Sequence, residues 1–346
     1  MKRYISIIGL LLLSFATLKA TAQVDNGAFR MLTANNSART AALGGLPLPM
    51  HDGDLSSSLF NPSSICPSMN NQLSFSWVGD FNTATNFATA QYSHTFEKAG
   101  SFAGSVQYLN HGEMTYTSES GNETGGSFNV SSYAVTLGWG RELTDKWSIG
   151  ANLKYAGLQY ESYRAGALAV DVAGTYWSYS NWAFTLAARN IGTRLYSDFE
   201  SGRMKLPLRI DFVASKKLDH LPLTIVMGFK DIQKWNKYHA NPYVEPDPIT
   251  GITPEATKTE IFFTNLACHL VLGGELELGK NLVLRASYDY EVHRNMKPVE
   301  ARSLVGFSAG FGIKIKMFEI EYSRSRNNIV GSPNYLTLRI DLSKFK

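Results

Sequence analysis

The chain has 346 residues, with 33 Lys and Arg against 29 Asp and Glu. This near-neutral balance gives no electrostatic footprint for nucleic acid. Charged residues make up only 18% of the chain and aromatics reach 12%, whereas a soluble globular protein averages about 25% charged. Abundant Tyr, Phe, Ser and Gly with sparse charge suit a wall that faces lipid on one side and a polar lumen on the other.

The first residues carry an export pattern. Lys2 and Arg3 form a short positive region, residues 5–18 are apolar, and Ala20-Thr21-Ala22 is a small-x-small site. Residues 1–22 therefore read as a signal peptide. The apolar run is short for an inner-membrane anchor, and no Cys follows it to carry a lipid. Losing Lys2, Arg3 and Lys19 leaves the mature chain at about +1.

Residues 23–71 come next and lack strand alternation. Ser37-Ala38-Arg39-Thr40-Ala41-Ala42-Leu43 ends at the pair Gly44-Gly45, followed by Asp52-Gly53-Asp54 and Asn61-Pro62. Asp54 is placed to cap a short helical run that Pro62 ends. The expectation is a compact, partly helical segment in or below a lumen. Asp52 and Asp54 match only the start of a calcium loop, since the later oxygen ligands are missing, so capping and turn roles are preferred.

From residue 72 the period is two. Leu73, Phe75 and Trp77 oppose Ser74 and Ser76. Strands are predicted at 72–78, 87–96, 101–109, 128–139, 146–156, 166–177, 181–189, 206–216, 220–231, 262–278, 281–291, 302–315, 318–325 and 334–343. Connections after even-numbered strands are short. Those after odd-numbered strands are long, with 110–127, 190–205 and 232–261 the longest. That parity predicts a 14-stranded antiparallel transmembrane β-barrel, residues 72–346, in a bacterial outer membrane. With short turns periplasmic and long loops external, both termini are expected to be periplasmic. Trp139, Trp147, Trp177 and Trp182 would then mark the periplasmic rim. Lys154, Arg285, Asp289, Glu319, Glu321, Arg339 and Asp341 fall on the second face and predict a polar lumen.

No catalytic or cofactor motif appears. There is no Gly-x-Ser-x-Gly elbow and no phosphate loop. His51, His220, His239, His269 and His293 lie apart in this topology, so no zinc set is expected. No enzyme activity, metal or cofactor is assigned. Cys66 and Cys268, the only two cysteines, could form a disulfide in an exported chain or stay as separate buried thiols. In the longest loop, Trp235, Tyr238, His239 and Tyr243 offer aromatic contact area, and Pro242, Pro246 and Pro248 reduce the entropy of ordering. The loop could bind a partner or pack over the lumen.

The segment Ser37 to Gly45, Asn61-Pro62 and Asn71-Gln72-Leu73-Ser74-Phe75 together resemble the PorV/PorQ family of Bacteroidetes outer-membrane proteins. That family has a FadL-like fourteen-stranded barrel. The run from Asp52 to Pro62, with the chain length, most resembles its PorQ-type members of the type IX secretion system. The resemblance implies a non-enzymatic role in an attachment complex with PorU and PorV, holding a PorZ-like surface protein beside outer-membrane lipid or lipopolysaccharide. The alternatives are a FadL-like transporter of hydrophobic compounds and a PorV-like cargo shuttle.

Overall fold

The structure, a computed structural model, describes residues 29–79, 85–118, 123–199, 205–238, 256–297, 303–327 and 331–345. The expected signal peptide lies outside the described residues. Fourteen strands form one closed barrel: β1 (Gln72–Gly79), β2 (Asn86–Phe96), β3 (Gly100–Thr117), β4 (Glu123–Thr144), β5 (Trp147–Tyr160), β6 (Tyr163–Trp177), β7 (Trp182–Ser197), β8 (Arg209–Lys217), β9 (Leu223–Phe229), β10 (Leu270–Leu278), β11 (Leu282–Asp289), β12 (Phe307–Ile315), β13 (Phe318–Ser325) and β14 (Asn334–Asp341). Each pairs antiparallel with its sequence neighbour, and β1 also pairs with β14, placing Leu73 beside Ile340 and Trp77 beside Leu336. Closure leaves no unpaired edge, which a bilayer would not tolerate. Among the described residues, no helix is long and apolar enough to cross a membrane.

Alternation sorts the two faces as the sequence requires. Val106, Leu137 and Leu153 point outward and are about half exposed. Ser74, Thr136, Asn152, Lys154, Arg285, Glu321 and Arg339 point inward and are buried. Trp147 and Trp182 are exposed at the short-turn end, where Trp139 Nε1 donates to the Ala99 carbonyl at 2.8 Å.

Residues 29–71 run through the lumen as a plug. A one-turn helix, α1 (Ala38–Ala42), is capped by Ser37, whose Oγ accepts from the Thr40 N–H at 3.3 Å. Asp54 caps the next turn, Leu55–Ser57, through the Ser56 N–H at 2.9 Å. Pro62 does more than end that run. It occupies the first position of a further turn, Pro62–Ser64, capped by Asn61, because its fixed φ suits a helix start and its missing N–H costs nothing there.

The plug seats where the wall has no side chains. A Cβ at Gly140 would lie 2.9 Å from the Pro62 carbonyl oxygen, and one at Gly150 would strike the Pro62 backbone. The strands β4 and β5 therefore pack directly on plug backbone, which only glycine permits at such an approach. Asn61 Nδ2 donates to the Leu48 carbonyl at 2.8 Å, and Ser63 Oγ shares a 2.7 Å hydrogen bond with Thr175 Oγ1 on β6.

Two expectations are corrected. The predicted strand 262–278 begins as a helix, α2 (Lys258–His269), with a capping box between Thr257 and Glu260. Its mix of apolar and polar residues lacks a decisive period, and the cap decides it. The predicted strand 281–291 stops at Asp289, whose carboxylate caps α3 (Tyr290–Met296). The expected position of the N-terminus lies outside the described residues. Phe29, Met31 and Leu32 pack with Val78, Phe87, Leu109 and Tyr335, in the half nearer the long connections. The plug then descends to Asn71 at the short-turn end.

Val at position 150 should keep the barrel but unseat the plug, an overpacking cost of about 1–3 kcal/mol. Limited proteolysis of detergent-solubilised protein should cut the N-terminal segment in Gly150→Val. Gly104→Val, with open space around its Cβ, should stay as resistant as the parent. Equal protection in both variants would refute this seating.

Candidate functional site

The barrel interior holds two ion networks, one toward each end. The network toward the short turns centres on Arg39 of α1. Its Nε lies 3.1 Å from Glu275 Oε2 and its Nη2 lies 3.0 Å from Glu275 Oε1. The same guanidinium reaches Asp54 at 3.2 Å and Asp52 at 2.6 Å. Arg285 bonds Glu275 at 2.5 Å and Glu321 at 2.8 Å. Arg339 reaches Glu319 at 2.5 Å and Asp54 at 3.3 Å. Sheet register makes this possible, since Glu275 stands opposite Arg285 and Glu319 opposite Arg339. Burial alone would raise the Asp54 carboxyl, but the charges of Arg339 and Arg39 override it and hold that group below the usual carboxylate range. A polar cavity of about 210 Å³ opens beside the network at the short-turn end, lined in part by Arg39, Asp52, Lys314 and Arg339.

The second network lies toward the long connections. Arg189 bonds Asp211 at 2.5 Å, and its guanidinium sits 4.6 Å from the ring centre of Phe60 in the plug. Arg209 reaches Asp231 at 2.9 Å. Lys230 pairs with Asp289, and with Glu291 at 3.0 Å. Lys237 bridges Asp231 at 3.3 Å and Glu291 at 2.9 Å. Burial opposes the charge on Asp231, and Arg209 with Lys237 restores it, keeping the carboxylate strongly acidic. These bonds draw residues 230–238 inward over the lumen and lock them to α3. Between the networks, Lys154 pairs with Asp171 at 2.6 Å, and Asp171 Oδ1 accepts the Asn190 N–H at 2.7 Å, where Asn190 takes a positive φ of 59° beside a register shift. This bulge turns the Asn190 amide toward the interior.

Above the second network lies an aromatic surface. Trp235 stacks on His269 at 5.4 Å and meets Phe262 at 5.7 Å. Phe263 stands edge-on to Phe262 at 5.6 Å. Trp235, Phe262 and Phe263 are 46%, 50% and 61% exposed, far above the level of core residues. Their positions are fixed from below. Asn265 Oδ1 accepts the N–H groups of Lys237 and Tyr238 at 2.9 and 2.7 Å, and His269 Nδ1 lies 2.7 Å from the Lys230 carbonyl oxygen. Tyr238 lies beneath Arg294, whose guanidinium is 4.9 Å from its ring centre.

Of the four expected loop residues, Trp235 belongs to this surface and Tyr238 lies against Arg294 and Asn265, while His239 and Tyr243 lie outside the described residues. Phe262, Phe263 and Asn265 were assigned to a strand. The Thr257-x-x-Glu260 capping box was the signal that could have placed them on a helix. Of the two readings of Cys66 and Cys268, the structure shows separate buried thiols. Both thiols are free: Cys66 packs with Leu55, Ile65, Met69 and Ala103 near the short turns, while Cys268 is in the last turn of α2 at the other end. A disulfide needs its two Cα atoms within about 7 Å, and opposite ends of the barrel cannot supply that. His94 and His269 take structural roles, His94 at 2.9 Å from Asn71 Oδ1.

No family model and no curated protein matches the sequence. Among solved structures, the chain is similar to the Ralstonia pickettii toluene transporter TbuX, with 10% identity, 89% of this chain and 97% of that chain covered, and a TM-score of 0.54. It also aligns with a Pseudomonas aeruginosa FadL homologue, at 9% identity, 89% and 98% coverage and a TM-score of 0.49. The likeness to TbuX is one of fold, a closed antiparallel barrel.

Removing Arg39 strands Glu275 and Asp54 without their shared cation. Arg39→Met should cost roughly 3–5 kcal/mol, read as a lower urea midpoint in detergent. Acid should act the same way. Asp54 has a depressed folded pKa, so its contribution is complete above the ordinary carboxylate value of about 4 and is lost as pH falls through the lower folded value. Thermal unfolding midpoints should be level from about pH 5 to 7 and drop below about pH 4. A midpoint that rose on acidification would contradict the assignment.

Proposed function

We propose that this protein is a non-enzymatic outer-membrane anchor whose long-connection end faces the cell exterior and holds a surface protein. The observation that carries the reading is the pairing of a tied-down lumen with a presented aromatic surface. Two ion networks bind the plug and residues 230–238 to the wall, and the same residues 230–238 hold Trp235 outward beside Phe262 and Phe263. Aromatic side chains on a rigid base are the usual energetic centres of protein interfaces, because they bury much area at small entropic cost. The resemblance to the PorV/PorQ family supplies the partner: a PorZ-like surface protein, within an attachment complex that includes PorU and PorV in type IX secretion.

A second reading, a transporter of hydrophobic compounds, draws on the likeness to the TbuX barrel and on the apolar layer of Phe29, Met31, Leu32, Phe87 and Leu109. Those residues would suit an apolar solute if the plug moved aside. The Arg39 network opposes it, since a greasy solute would have to pass a layer of buried charge at large desolvation cost. A cargo-shuttle role is the third reading.

Affinity recovery from detergent-solubilised outer membranes separates these readings. A large PorZ-like surface protein should copurify, and Trp235→Ser combined with Phe262→Ser should cut its recovery at least about tenfold, the loss of roughly 1.4 kcal/mol or more at an interface centre. Copurification of PorU with secreted cargo would favour the shuttle. No partner, with saturable uptake of a hydrophobic solute, would overturn the anchor.

A further inference from the structure

We propose that His51, Cys66 and Glu142 form a binding site for a divalent transition-metal ion of the zinc class, which pins the plug to the barrel wall at the short-turn end. Their potential ligand atoms all lie within 4.8 Å of one another, although the residues are far apart in sequence and belong to two different structural units. His51 and Cys66 come from the plug, and Glu142 comes from β4.

The two plug ligands are held in place by something other than a metal. The His51 ring packs against Trp177, with ring centres 4.7 Å apart. Its Nε2 lies 3.2 Å from Glu142 Oε1, yet it is buried and has no aligned hydrogen-bond partner. A buried ring nitrogen in that state is a costly arrangement for a protein to keep. A metal ion between the two groups would satisfy both the nitrogen lone pair and the carboxylate. Cys66 stands before the turn Pro67–Met69, with its Sγ 2.9 Å from Ser68 Oγ. It is 1% exposed and unpaired, in a chain whose sequence carries an export signal. Glu142 lies where the β4–β5 register shifts, and its side chain is 44% exposed. It can therefore swing while the two plug ligands stay fixed, and it leaves an approach from the aqueous mouth.

The donor set selects the ion. One thiolate, one imidazole and one carboxylate suit a borderline ion, whereas calcium and magnesium take oxygen ligands. Zinc bonds of about 2.0–2.3 Å in a tetrahedron put ligand atoms roughly 3.3–3.8 Å apart, so closing the present triad requires movements on the order of 1 Å. On binding, the Cys66 thiol releases its proton to solvent and its sulfur lone pair bonds the metal. The thiolate and carboxylate charges balance a divalent ion. Water would take the fourth position, reached past Glu142. The consequence is mechanical: a metal bridge would add a further cross-link between plug and wall to those made by Arg39 and Arg339.

The test uses the full-length protein in detergent, stripped with a chelator and titrated with zinc chloride, then with cobalt(II) chloride. One equivalent of zinc should bind and raise the thermal midpoint. Cobalt should give a thiolate-to-metal charge-transfer band in the near ultraviolet. Cys66→Ser should abolish that band, and Glu142→Gln, at a half-exposed position that leaves folding intact, should weaken zinc binding at least about tenfold. Absence of stoichiometric binding, a cobalt spectrum without the thiolate band, or equal affinity in a His51→Gln, Cys66→Ser double variant would each overturn the proposal.

Discussion

The guanidinium of Arg39 is the interaction on which the rest of the structure depends. It sits 2% exposed inside a barrel, where an unpaired charge would be prohibitive. It joins Glu275 of the wall to Asp52 and Asp54 of the plug. Because Glu275 also holds Arg285, and Asp54 also holds Arg339, no member can leave without exposing another. Planar, fork-shaped donors make such shared pairing possible, which is why arginine rather than lysine occupies all three cationic positions of this network.

Plug and wall are complementary in shape as well as charge. Gly140 and Gly150 thin the wall where the Pro62 backbone passes, and Asn61 and Ser63 meet polar wall groups. Opposite, Leu43, Leu46 and Leu48 fill an apolar pocket with Val213, Val226 and Val271. The inward face of the barrel is thus a mosaic of charged, small and apolar patches, each matched to a stretch of the plug. That matching explains why alternation along a strand separates lipid from lumen but does not make the lumen uniformly polar.

The two ends of the barrel differ in physical character. At the short-turn end, wall and plug meet in polar and ionisable groups near a water-accessible cavity. At the long-connection end, charge lies beneath and aromatic surface lies above, with Asn265 and Lys237 joining the layers.

Much of the fold was legible in the sequence, because period two is a local property. Alternation at Leu73, Phe75 and Trp77 separated the two faces of the wall, and Asp54 was legible as a cap, whereas the caps at Ser37 and Asn61 were not. Lys154, Arg285, Glu321 and Arg339 were recognised as luminal by parity alone. Their partners were not, since strand spacing does not reveal which plug residue arrives at which wall residue. The helix at 258–269 was read as strand because a mix of apolar and polar residues with no clear period leaves the choice to its cap. Only the tertiary structure decided that the plug starts toward the long connections, that Cys66 and Cys268 stay apart, and that His51, Cys66 and Glu142 converge. The reason is physical: the sequence determines each element through neighbours a few residues away, whereas these outcomes depend on how a non-repeating segment threads a closed wall and which buried charges it must neutralise there.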